Sequence, residues 1–331
     1  MYTVTESYMV PQAAQKRSAL DEFRRDVLDG LSGSVKRLQS KYFYDKEGDR
    51  LFQQIMNCPE YYVTNCELEI FQQQTEFLAR MVIADGSAFD LIELGAGDAT
   101  KSQYLLQHLT NEEIPFTYMP IDISGNILSE LEERLSSEIP ALRVHSLEGD
   151  YFEMLQKAVA FTLKRKVVLL LGANIGNMEP QDALEFTRRL RAGLQPGDRV
   201  VIGVDLKKHP RVIREAYDDK EGITARFNLN LLARINRELK ADFDIVQFEH
   251  YQHYDPDSGA CKSYLVSLCN QVITIGKKEI PFAKDETIYM EISQKYTLNE
   301  VAMLAADSGF TPVSNCIDSK GWFVDACWVA G

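Results

Sequence analysis

The sequence predicts an α/β protein built on a doubly wound, mostly parallel sheet, with a second, smaller α+β piece. Three observations predict it. Between residues 90 and 206, short apolar runs alternate repeatedly with amphipathic stretches through short connections. Such alternation builds a parallel sheet covered by helices on both faces. The first run ends in Gly95-Ala96-Gly97, a tight turn suited to the carboxyl end of a strand. After residue 206 the rhythm breaks and resumes only near 297, as an insertion would make it do.

The elements follow in order. Leu20, Phe23, Val27, Leu28 and Leu31 recur at helical spacing and predict a helix over 15–31, ending at Gly30 and Gly33. The aromatic segment Lys41-Tyr42-Phe43-Tyr44-Asp45 runs into a turn. A second helix spans 50–56 and stops before Pro59. One long helix is predicted over 66–83. Strands are predicted at 90–94, 116–123, 143–147, 167–171 and 199–206, with helices at 100–109, 125–137, 151–163 and 180–193. Residues 208–240 read as mostly helical. Strands at 243–253 and 261–275 flank the turn cluster Tyr254-Asp255-Pro256-Asp257-Ser258-Gly259, and another covers 286–295. A helix at 297–308 and strands at 311–317 and 321–329 close the chain. The expected domains are 71–206 with 295–331, and 1–70 with 207–294.

Composition narrows the function. Hydrophobic residues are 45% and charged residues 26%, ordinary globular usage that excludes a disordered chain or a small disulfide scaffold. The formal net charge is −13. No basic stripe is visible, so a nucleic-acid partner is not expected, and an anionic membrane surface is disfavoured. A small molecule, particularly a cation, suits this charge better. The six cysteines form no CxxC pair and read as free thiols of a reducing cytoplasm. The N-terminus lacks a signal-peptide pattern, and the longest apolar run, Val167–Leu171, is too short to span a bilayer. A cytoplasmic location and a monomer are expected.

The motifs lie where the strands end. Gly95 and Gly97 let the backbone turn sharply and approach a ligand; an ordinary tight turn is the plain alternative. The second strand ends in Asp122, where such folds bind ribose hydroxyls, and the third in Gly149-Asp150. With Glu93 near the end of the first strand, acids at three strand ends suit an adenosine ligand that carries positive charge. S-adenosylmethionine (SAM) fits this better than NAD, whose pyrophosphate favours a more glycine-rich helix N-terminus. The fourth strand ends in Leu171-Gly172-Ala173-Asn174-Ile175-Gly176-Asn177, a set of glycines and amides suited to a polar substrate. There is no serine–histidine–aspartate signature and no HExxH. His250 and His253 would face opposite sides of a strand, so no metal is expected. Tyr42, Tyr44, Tyr61, Tyr62 and Tyr217 lie beside polar or turn residues and are expected to form a partly exposed pocket wall.

Taken with Pro59-Glu60-Tyr61-Tyr62, Ala216-Tyr217-Asp218-Asp219, Phe227-Asn228-Leu229-Asn230 and Glu291-Ile292-Ser293-Gln294-Lys295, these motifs resemble, in order, the SAM-dependent histidine Nα-methyltransferase family of ergothioneine biosynthesis. The resemblance runs from about residue 16 to the C-terminus. It implies a class I Rossmann-like methyltransferase fold whose last strand is antiparallel, plus a substrate-binding domain. It implies that Gly95, Lys101, Asp122 and Asp150 hold SAM, with Gly97 in the same turn and Tyr151 beside the adenine where the family commonly has Phe. Tyr61, Asn177 and Tyr217 fall where the family holds the substrate's amino and carboxylate groups, and Tyr44 and Gly172 where it lines the amine. Glu291 and Ser293 fall where it grips the imidazole.

One position departs. Where many members have Ile-Glu-Met, this chain has Cys261-Lys262-Ser263, so Ser263 replaces a methionine that packs on the substrate ring. A smaller, polar residue enlarges the pocket. The implied activity is methylation of the α-amine of an amino acid, histidine first, with no metal and with S-adenosylhomocysteine as the second product. Tyr44, Tyr61 and Asn177 would align the amine. A methyltransferase for another amino acid or amine, and a SAM- or amino-acid-binding protein without turnover, remain as alternatives.

Overall fold

The computed structural model describes residues 12–84 and 86–331. The expectation for the extreme N-terminal segment falls outside them. The chain divides into two compact units. One takes the chain through Glu60, with Arg214–His253 and Lys262–Glu291; the other takes Tyr61–Ile213, Tyr254–Cys261 and Ile292–Gly331.

The second unit carries the parallel sheet. Its strands are β2 (Phe89–Leu94), β3 (Phe116–Asp122), β4 (Leu147–Glu148), β5 (Arg165–Leu170), β6 (Arg199–Asp205), β12 (Phe310–Ile317) and β13 (Phe323–Ala330). They lie in the order β12-β13-β6-β5-β2-β3-β4. Only β13 runs antiparallel to its neighbours, with Asp325 opposite Gly203 of β6. The strand order reverses between β2 and β5, which places a ligand crevice at their carboxyl ends. This is the doubly wound fold with an antiparallel last strand that the sequence led us to expect.

Both faces of the sheet are covered, which explains the unbroken apolar runs such as Val167–Leu170. Helices α7 (Tyr151–Phe161), α8 (Pro180–Ala192) and α11 (Leu298–Asp307) join one apolar cluster with Ile92, Leu94, Ile121 and Ile202. Alternate residues of the same strands, among them Glu93, Tyr118, Gly203 and Asp325, face the other way. Helices α3 (Tyr62–Gln73), α4 (Thr75–Ile83) and α5 (Gln103–Asn111) pack as a layer, with α3 against β13 and α4 against β12. Helix α6 (Gly125–Glu138) packs on β3. Each fully buried aliphatic side chain contributes about 1.5–3 kcal/mol relative to exposure. Local signals start the helices: Pro180 opens α8, and Thr297 and Glu300 form a reciprocal capping box on α11.

In the first unit, α1 (Gln12–Ser32) buries Phe23, Val27 and Leu31, the stripe read from its spacing. Helix α2 (Lys46–Met56) packs against α10 (Ile223–Leu239), and Phe43 meets Phe227 with ring centroids 4.8 Å apart. A small sheet has the order β1-β11-β8-β7, from β1 (Lys36–Arg37), β11 (Thr287–Gln294), β8 (Ala260–Ser267) and β7 (Phe248–Tyr254). A separate antiparallel hairpin joins β9 (Gln271–Ile275) to β10 (Lys278–Phe282). Helix α9 (Pro210–Tyr217) spans the boundary between the two stretches of sequence.

Several expectations are corrected. The helix predicted over 66–83 is two, broken at Gln74, whose backbone leaves the helical region and whose side chain donates to the Ile317 carbonyl at 2.7 Å. That tertiary bond has no local signature. The strand predicted at 143–147 is nearly all irregular: β4 is two residues long, with an isolated bridge at Val144. The strand predicted over 261–275 is β8 and β9, and β10 follows unpredicted. Tyr62 is no pocket wall. It is buried, packs edge-on against Trp322 and donates to Asp205 at 2.8 Å. Among the described residues, all six cysteines are free, and no helix is long and apolar enough to cross a membrane.

Candidate functional site

The carboxyl edge of the parallel sheet gathers the first group of predicted residues. Strand β2 runs into Gly95 and Gly97, both at positive φ, +69° and +52°. A Cβ on Gly95 would stand 2.4 Å from the Tyr151 hydroxyl, whereas one on Gly97 would meet nothing within 4 Å. The turn is therefore tight on one side and open on the other, which leaves room for a ligand against backbone. Asp122, ending β3, accepts from the Gly97 amide at 3.2 Å and from Ser124 at 3.0 Å. Asp150 caps α7 through the amides of Phe152 and Glu153, at 2.9 and 3.2 Å. Burial, with Asp122 and Asp150 nearby, pushes the Tyr151 phenol up to about 12, so it stays a neutral donor. An open glycine turn flanked by two carboxylates and a phenol fits SAM.

The second group lies after β5. Gly172 and Ala173 take φ of +74° and +56°, and a short 3-10 turn, Asn174–Asn177, follows. A left-handed alanine costs roughly 1–2 kcal/mol, so the surrounding fold holds this turn against local strain. The Gly172 amide donates to both oxygens of Glu67, at 2.8 and 2.9 Å, and the Lys101 ammonium pairs with the same carboxylate. The Asn174 amide nitrogen lies 3.7 Å from where a Cβ would stand on Gly95 and also on Gly172. Gly95, Lys101 and Gly172 are thus neighbours. Asn177 is exposed at the end of its turn, and Tyr61 is half-buried at the N-cap of α3.

Strand β6 ends in Asp205, fully buried and paired with Lys208 and Lys295, the latter at 2.6 Å. Burial opposes its ionisation, but the two ammonium groups hold its carboxyl below the usual range. Lys295 also donates to the Ser293 hydroxyl at 2.8 Å, which ties a predicted ring-contacting residue to the sheet. Glu67, Asp205, Lys208 and Lys295 were not singled out by sequence reasoning. A lysine two residues beyond Ser293 in the quoted motif was the only available pointer.

Four predicted residues belong to the first unit. Tyr44 is 47% exposed and meets Phe52 and Phe227 edge-on. It precedes Asp45, the cap of α2. Tyr217 ends α9, just before Asp219, whose buried carboxylate accepts from the Ile223 and Thr224 amides that open α10. Ser263 is buried on β8, on the side shared with Cys261 and Leu265. Glu291 is half-buried on β11, a neighbour of β8, and by strand alternation shares a face with Ser293.

A cleft of about 1010 Å³ lies elsewhere, lined by Arg80, Thr162, Lys164, Arg165, Gln195 and Arg199 among others, and holds none of the predicted residues. Arg165 and Arg199 donate to the Val82, Ile83 and Met81 carbonyls at the end of α4, and Arg80 pairs with Glu76, which accounts for their charge structurally. Among the described residues no group of three or more His, Cys, Asp or Glu is arranged to hold a metal.

Comparison with known proteins points the same way. A family model described as histidine-specific methyltransferase, SAM-dependent, matches residues 23–330. The histidine N-alpha-methyltransferase of Mycolicibacterium smegmatis is 35% identical over 92% of this chain and 94% of its own. That of Mycobacterium tuberculosis is 33% identical over 91% and 92%. A more distant relative, the L-tryptophan methyltransferase of Psilocybe serbica, is 26% identical over 91% and 90%.

Proposed function

The chain belongs to the family of SAM-dependent, histidine-specific methyltransferases, and on that premise we propose that it methylates the α-amine of L-histidine, in three rounds, to the trimethyl betaine. SAM binding is assigned to the second unit, to Gly95, Gly97, Lys101, Asp122, Asp150 and Tyr151. The observation that carries the choice of substrate is the pair Glu291 and Ser293 on one face of β11. A carboxylate accepts an imidazole N–H, and a hydroxyl serves the other ring nitrogen, a directional contact that a purely apolar ring cannot satisfy. Relatives that align with about nine-tenths of the chain and bear the histidine name support the reading.

SAM supplies a methyl group made electrophilic by its sulfonium. Tyr61, Asn177 and Tyr217 hold the amino and carboxylate groups, and Tyr44 and Gly172 line the amine. In each round the ammonium would first lose a proton to water. The neutral amine would then form the N–C bond as the C–S bond breaks, with sulfur keeping the electron pair, and the third transfer would leave a quaternary ammonium with no N–H. Most of the acceleration comes from alignment, since holding two reactants in line can supply about 7–11 kcal/mol.

A second reading, another amino acid as substrate, has its own observation. Ser263 is buried where the resemblance expects methionine, and one relative carries a tryptophan name. Mass spectrometry after incubation with SAM and the twenty amino acids decides. Histidine heavier by one to three methyl groups is expected. Methylation of a different amino acid sinks the histidine assignment while leaving the chemistry, and the absence of any product with SAM bound sinks both.

A further inference from the structure

Behind the Gly172 turn lies a buried group that the proposed chemistry does not use. Glu67 of α3 and Asp325 of β13 are both fully buried and converge on Gly203 of β6. A Cβ on Gly203 would stand 2.2 Å from Glu67 Oε1 and 3.2 Å from Asp325 Oδ1, so glycine there is what lets the two carboxyls share the space. As a carboxylate, Asp325 has no donor: among the described residues neither of its oxygens has a hydrogen-bond partner, although Glu67 lies within hydrogen-bonding reach. Two bare carboxylates only repel. A single proton turns the contact into a hydrogen bond and satisfies the orphaned group.

The charges agree. Lys101 is the ammonium paired here, and it meets Glu67. Two buried anions against one cation would leave a net charge in a water-excluded layer, which is costly. One anion against one cation does not. The neighbouring titratable groups are Glu93 at the end of β2, which faces Lys101 and Glu67, and the Cys316 thiol of β12 beside Asp325. Burial and the Glu67 charge push the Asp325 carboxyl well above its usual range, in the same direction.

We propose that Glu67 and Asp325 share one proton as an acid pair, and that Glu67 is the positioning residue through which the pair fixes the Gly172 amide and the Lys101 ammonium. Asp325 donates to Glu67. Glu67, still carrying one negative charge, accepts from Gly172 at 2.8 and 2.9 Å and holds Lys101 beside the Gly172 turn. The left-handed pair Gly172-Ala173 is therefore pinned from behind by a fixed charge. This inference rests on the assignment of Lys101 and Gly172 to the site.

The test is infrared spectroscopy of the full chain carrying carboxyl-labelled aspartate, near pH 9, where Glu93 is ionised. A neutral-acid carbonyl band is expected in the wild type and is lost in Asp325→Asn. Its absence from the folded wild type overturns the acid pair, whether or not any variant folds. Calorimetric SAM binding tests the positioning. Glu67→Gln should weaken SAM by about tenfold or more. Asp325→Ala should weaken it too, and Asp325→Asn, whose amide donates as the acid did, should recover most of the loss. Equal loss in Asp325→Asn and Asp325→Ala refutes the donor role. Lys101→Ala judges the site assignment alone: unchanged SAM affinity there removes Lys101 from the site, and the infrared band still decides the shared proton.

Discussion

Two residues carry sharp predictions. Asn177 is itself exposed, at the end of a turn whose Ile175 and Gly176 are buried, and it has no part in the sheet's core. Asn177→Ala should lower the methylation rate by about 10- to 100-fold, the cost of a misaligned amine, while SAM affinity stays within about threefold. Equal loss of both would refute its role in alignment. Glu93, the last residue but one of β2, lies on the opposite face from the apolar cluster and accepts from Tyr118 at 2.6 Å. Burial pushes its carboxyl from 4.5 to about 7, against the pull of Tyr118, Ser102 and Lys101. The folded protein thus holds this proton more tightly than the unfolded chain does. Glu93 favours folding fully below the unfolded value, and that stabilisation is lost as pH rises through about 7. Against Glu93→Gln, which does not titrate, the wild type should lose up to about 3 kcal/mol of unfolding free energy between pH 5 and 8. Urea titrations at the two pH values measure it, and a flat difference would mean Glu93 is ionised throughout. The strand-end residues Gly95, Asp122 and Asp150 were legible because their chemistry is local: a glycine turn, an acid, a cap. Glu67 and Asp325 were not. Each sits in an unremarkable helical or strand run, and only the register of β13 on β6 together with the packing of α3 against β13 makes them neighbours.

Legibility changes at the scale of elements. Strands β2, β3, β5 and β6 were read to within a residue or two because each is a short, largely buried run bounded by turns. The break between α3 and α4 carries no glycine or proline, since the Gln74 contact that makes it comes from a distant strand. Strand β10 could have been found. Ile275 and Lys278 are joined by Gly276 and Lys277, a two-residue hairpin loop with glycine at positive φ. Capping shows how an element places a functional side chain. Asp45 accepts from the Gly48 amide at 2.8 Å and from Asn230 at 2.9 Å, and it pairs with Arg237, so it fastens the start of α2 to α10. Tyr44 is its neighbour in the chain. Asp45→Ala should cost about 2–3 kcal/mol, from the lost cap and the stranded Asn230 amide. It should also raise the Michaelis constant for the amino acid more than that for SAM. Asp45→Asn keeps both neutral bonds and should recover more than half of the stability. Thermal unfolding and steady-state kinetics read the two effects, and an Asn variant no better than Ala would mean that the Arg237 pair does the fastening.

The whole molecule adds a field that no single residue supplies. This chain carries a formal net charge of −13. Near neutral pH, SAM has a sulfonium, an ammonium and a carboxylate, a net charge of about +1. Its demethylated product has lost the sulfonium charge and is neutral overall. An acidic protein attracts the first at long range and is indifferent to the second, so charge helps to load the substrate and does not retain the product. Salt separates the two cases, because the Debye length falls from about 30 Å at 0.01 M to about 3 Å at 1 M. Stopped-flow mixing measures the association of both ligands. The association rate constant of SAM should fall several-fold between about 20 mM and about 500 mM sodium chloride, while that of S-adenosylhomocysteine changes little. Parallel slopes for the two ligands would refute steering by the net charge. They would mean that cations at the strand ends, Lys101 first among them, neutralise the field where the ligand enters, and that affinity for SAM is set by contact alone.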